Sequence, residues 1–151
     1  MRKLGKCIGV LGGTLLGVTA AYLAWSNRRL FFVHDITTGE SAHYPELRSR
    51  VYYAEVPQVL NTAKQSLRSL PRWKLISCDT ENDSIEAEAG AVTGLITDDV
   101  TIYVISLGHG QSRVTLRSRS RHNMGDFGQN ALHIRELQHA MDDRLNSKAA
   151  F

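Results

Sequence analysis

Arg113-Val114-Thr115-Leu116-Arg117-Ser118-Arg119-Ser120-Arg121 changes side-chain character at every step, and this stretch decides the fold. Successive residues of a strand point to opposite faces. Val114, Leu116, Ser118 and Ser120 therefore share one side, and Arg113, Thr115, Arg117, Arg119 and Arg121 the other. The first side needs a cover, while the second suits water. Upstream, Asp99 to Ile105 alternates in the same way and joins this strand through Gly108-His109-Gly110, a turn sequence. Ile85-Glu86-Ala87-Glu88-Ala89 is another half-exposed strand, separated by polar Asp79 to Asp83 from a strand over Trp73 to Cys78. Val51-Tyr52-Tyr53-Ala54, β-branched and aromatic, opens the set.

Two segments keep helical spacing instead. Pro57 suits a first helical turn, and Val59, Leu60, Ala63, Leu67 and Leu70 continue the stripe until Pro71 stops it. A second helix runs from about Phe127 to Leu145, with Asp126 as N-cap and Gln129 three residues on in a capping-box pattern. Strand, helix, four strands, helix with short turns predicts an α+β fold: an antiparallel sheet of about five strands with two helices on one face. Residues 48–146 form that single domain, with a polar, turn-prone linker over 26–47 and a tail over 147–151.

From Cys7 to Trp25 the chain has nineteen residues without a charge, behind a basic N-terminus over 1–6. As a helix this run would span roughly 28 Å, the depth of a hydrocarbon core, and predicts a transmembrane anchor over 7–25. Arg2, Lys3 and Lys6 precede it and Arg28 and Arg29 follow, so the heavier basic flank puts the N-terminus in the cytoplasm and the domain outside. The alternative is cleavage near Ala20, which would yield a secreted or periplasmic domain. Gly9, Gly13, Gly17 and Ala21 recur at every fourth position and suit close packing against another membrane helix or a second copy.

Three of the 18 basic residues precede the apolar run, so the 15 that remain balance the 15 acidic residues that follow it. A formally neutral domain lacks the basic footprint of nucleic-acid binding. Cys7 and Cys78 cannot staple the domain internally.

The Arg117-Ser118-Arg119-Ser120-Arg121 run, then Asp126-Phe127-Gly128-Gln129-Asn130 and Ile134-Arg135, resembles the C-terminal signature of the uncharacterised family called domain of unknown function 1499. Asp98-Asp99-Val100 is similar to that family as well, and the resemblance covers about residues 41–145. Asn123 and His133 depart from its pattern, where a glycine and an arginine are expected. The resemblance implies a family and no activity.

The candidate binding residues are Arg117, Arg119, Arg121 and Asn130. Three arginines on one face could hold phosphate, carboxylate or an anionic lipid head group. A charge ladder needs no ligand and is preferred, with Glu86 and Glu88 as partners for Arg117 and Arg119. Asn130 lies at the edge of the helix's apolar stripe beside Ser118 and Ser120. There it either finds partners in a close contact or lines a small cavity, with Arg119 and Arg121 at the mouth. Asp99 reads as a strand-start cap, and Asp126 and Gly128 as helix-start residues. No catalytic or metal-ligand spacing is present in the sequence, and no cofactor is implied. The expectation is a membrane-anchored extracytoplasmic accessory or binding domain, with an anionic-ligand or lipid-binding module second and an enzyme third.

Overall fold

The computed structural model describes residue 22 and residues 33–90, 94, 97–121 and 128–146. Gly9, Gly13, Gly17, Ala21 and Asp126 lie outside the described residues. Among those described, no helix is long and apolar enough to cross a membrane.

The chain order is β1 (Asp35–Thr37), β2 (Arg50–Tyr52), α1 (Val56–Ser69), β3 (Trp73–Asp79), β4 (Ser84–Gly90), β5 (Thr97–Gly108), β6 (Gln111–Ser120) and α2 (Gln129–Asn146). All strand pairs are antiparallel, and β1, β6, β5, β4 and β3 lie side by side in that order. Since β5 occupies one flank of β6, the β2 strand takes the other, in line with β1. The α+β class and the antiparallel sheet are as expected, but the sheet has six strands.

The additional strand corrects the linker reading. β1 falls inside 26–47, where three residues are too few for a period to show. Its stability comes from pairing with β6 and from burial of Ile36, together with Val33, Tyr44 and Leu47 of the same stretch. Thr38 extends the ladder by one more residue. Its N–H donates to the Leu116 carbonyl at 2.9 Å, and its Oγ1 accepts from the Leu116 N–H at 3.0 Å. Gly39, at φ +86°, then turns the chain away, and its N–H donates to the Leu47 carbonyl at 2.8 Å. Ser49 closes the neck of this loop by donating to the Thr38 carbonyl at 3.2 Å while lying 3.0 Å from the Thr115 hydroxyl.

Both helices lie on the same face of the sheet. Ile85, Ala87 and Ala89 of β4, Val100, Ile102 and Val104 of β5, and Val114 and Leu116 of β6 meet Val59, Leu60, Ala63 and Leu67 of α1 and Ile134, Leu137 and Met141 of α2. Burying each large aliphatic side chain is worth about 1.5–3 kcal/mol, which makes this seam the main source of stability. Ser66 lets the helices approach closely, its hydroxyl donating to the Ala140 carbonyl at 3.1 Å.

The capping-box expectation for α2 rests on Asp126 and lies outside the described residues. The helix begins at Gln129, and the Leu132 N–H donates to the Gly128 carbonyl at 3.1 Å. Gly128 has φ +82°, a conformation that glycine adopts without a Cβ clash.

Candidate functional site

Beneath the first turns of α2 the core turns polar. Asn130 is fully buried, accepts from the Ser118 hydroxyl at 2.7 Å and donates to the Ser120 hydroxyl and the His34 carbonyl, each at 3.1 Å. Its amide ties β6, α2 and the segment before β1 together. An apolar residue there would strand those groups.

Next to this amide lies a pair the sequence reading missed. Asp98 and Asp99 point opposite ways, as adjacent strand residues must, which leaves Asp98 fully buried on the core side. Its Oδ2 is 3.3 Å from His133 Nδ1, also buried. That separation is within ion-pair reach, but neither carboxylate oxygen nor the ring nitrogen has an aligned hydrogen bond. Trp73 packs its ring edge-on against His133 at 5.6 Å and donates its indole N–H to Glu136 at 3.1 Å. The signal that could have found the pair is His133 itself, an imidazole on an otherwise apolar helix stripe, four residues from Leu137. A carboxylate beside a histidine is an acid–base arrangement in kind, yet side-chain exposures of 0% and 2% close it to a substrate.

The other side of β6 carries the arginines. Arg117 Nε donates to Asp35 at 3.0 Å, and the carboxylate raises the guanidinium's already high pKa. Arg121 donates to Asp99 and Glu88, which raise its pKa in the same way, and Glu88 also reaches Lys74 at 3.8 Å. This is a charge ladder, with partners other than those expected. Strand order explains the change, because β5 stands between β4 and β6, so Glu86 faces Thr101 and lies two strands from Arg117. Asp35 sits beside β6 because the presumed linker is a strand. Among the described residues Arg119 and Arg113 take no ion pair and are exposed. Arg117, Arg119 and Arg121 thus face outward while Asn130 faces the core, so the four candidate residues do not form one site.

The expected cavity between sheet and C-terminal helix gains no support. Leu116, Ser118, Asn130, Ile134 and Leu137 would line it, and each is 0% exposed, so no water-sized space touches them. Two concavities among the described residues lie on the outer face. The loop from Thr38 to Ser49 stands over β6 and leaves an open groove of about 730 Å³ floored by Arg113 and Thr115. A second groove of about 550 Å³ adjoins it through Glu40, Ser41 and Thr115 and reaches Tyr103 and Arg117. Beyond them, toward the β5–β6 turn, Tyr103, Ile105, Leu107 and Val51 are exposed at 41%, 56%, 39% and 48%, where an uncontacted face would be polar.

No group of three or more metal-ligating side chains occurs among the described residues. Fold and site together define a small α+β domain in which two helices seal one face of an antiparallel sheet and the other face stays open. Within that class, the chain belongs to the DUF1499 family, described as protein of unknown function, whose model matches residues 26–141. No curated protein matches the chain. Among solved structures it is similar to TTHA0849 from Thermus thermophilus, at 12% identity and TM-score 0.45, over 76% of this chain and 98% of that one. It is also similar to a START superfamily protein from Mycobacterium smegmatis, at 7% identity and TM-score 0.42, over 76% and 99%. At these scores neither likeness bears on function.

Proposed function

We propose that the chain is a non-enzymatic binding domain, held at the outer surface of a membrane by residues 7–25, whose working surface is the open face of the sheet. The observation that carries this reading is the pair of adjoining grooves under the 38–49 loop, continuous with exposed Tyr103 and Ile105. Binding sites are concave, with apolar and aromatic side chains around a few polar ones, and the described interior offers no comparable space. Only nine residues lie between Trp25 and the start of β1 at Asp35, and the steps from one to the other reach at most roughly 36 Å, so an anchor there would keep the domain close to the lipid surface.

A photo-reactive residue placed at Tyr103 in intact cells tests the surface, with exposed Gln65 on α1 as the control. Crosslinks are expected from position 103 and none from 65; the reverse pattern would move the working surface to the helices. Protease added to spheroplasts tests the placement, and degradation of the domain is expected. A protected domain, or a soluble chain beginning near Ala21, would end the membrane-anchored reading.

A further inference from the structure

The open face divides along β6. At one end two arginines hold carboxylates: Arg117 pairs with Asp35, and Arg121 with Asp99 and Glu88. At the other end, Arg113 lies in register between Val51 of β2 and Ile105 of β5, with Tyr103 and Leu107 alternating along β5. There the arginine is exposed, and no ion pair among the described residues reaches it. A guanidinium set among tyrosine and aliphatic side chains is the composition of an interface centre, where desolvation makes one charge-assisted pair count heavily.

Resting on the outer-face reading above, we infer that this end docks a segment of another protein that places a carboxylate on Arg113 and apolar side chains on Val51, Tyr103 and Ile105. The uncompensated charge chooses the occupant. A second copy seated through the same patch across a two-fold axis would bring Arg113 against Arg113, which like-charge repulsion opposes. An acidic segment without apolar flanks would leave Ile105 and Val51 in water and gain only a surface ion pair.

Panning a phage-displayed library of random linear peptides on the full chain in detergent micelles tests this. The expected winners carry Asp or Glu between aliphatic or aromatic residues. Their affinity falls at least roughly tenfold in Arg113→Glu, while Arg119→Glu, the same charge change at the other end, leaves it within about twofold. Both side chains are exposed, and an unchanged circular dichroism melt confirms that each variant folds. Peptides that bind Arg113→Glu undiminished, or lose equally in both reversals, overturn the inference while the outer face stands, provided Ile105→Asp abolishes binding. If Ile105→Asp binds them as tightly as the parent does, or no peptide is enriched, the outer-face reading falls too. Concentration-dependent dimers that Ile105→Asp dissolves would assign the patch to a second copy and overturn the inference.

Discussion

Arg117 and Ser118 are neighbours in the chain, yet the two sides of β6 obey different rules. Arg117 is 40% exposed and its partner Asp35 39%, so water screens their attraction and either could be lost cheaply. Ser118, Asn130, Asp98 and His133 sit where no water can replace a missing partner, so each contact there is costly to break. The charged side looks like the more strongly interacting one because it has more ion pairs. Energetically the order is reversed, because burial and not charge count sets what a contact is worth.

Removing one member of the buried pair should have the largest effect. His133→Leu leaves Asp98 enclosed without its neighbour and is expected to cost about 3 kcal/mol by urea midpoint, while Asp98→Leu/His133→Leu recovers at least half of that. A single-variant cost under about 1 kcal/mol would erase the contrast between the faces. Asn130→Ala comes next, at about 1–3 kcal/mol, because Ser118, Ser120 and the His34 carbonyl lose their shared partner.

Tyr52→Phe sharpens the comparison through pH. The Tyr52 hydroxyl donates to Asp142 at 2.7 Å, and burial first, then that carboxylate, pushes its pKa upward from the ordinary value of 10.0. The folded state therefore favours the protonated phenol. Its stabilisation is complete below pH 10 and lost as pH rises beyond, so the parent's advantage of about 1 kcal/mol at neutral pH should shrink in alkali. Parallel melting curves above pH 10 would break this link. The smallest effect belongs to Arg117→Ala, under about 1 kcal/mol and weaker still in high salt. A larger loss would mean that the arginine face is covered in the tested state.

Alternation in β4, β5 and β6 and the apolar stripe of α1 were legible because each runs over enough residues to display a period. Ser118 and Ser120 facing Asn130 followed from the same count. What stayed hidden depends on strand neighbours rather than on spacing. Arg117 finds Asp35 across 82 residues and only because a three-residue segment is a strand. His133 meets Asp98 because β5 and α2 come together at one end of the sheet, which no local pattern encodes. Arg113 became distinctive once Arg117 and Arg121 had been matched to carboxylates and Val51, Tyr103 and Ile105 had been found exposed around it.

The Thr38 neck also makes the loop beyond it separable from the sheet. Since β1 and β2 both lie along one flank of β6, and Thr38, Ser49 and Thr115 clasp the chain where it leaves and rejoins, the residues between are a cassette inserted into an otherwise continuous edge. Lengthening a closed loop costs little, about 0.6 kcal/mol per doubling, and nothing in the ladder need shift register. Relatives could therefore lengthen this cassette around its buried anchors Tyr44 and Leu47, altering the walls of the groove while the sheet beneath stays the same, much as one lock body accepts different barrels.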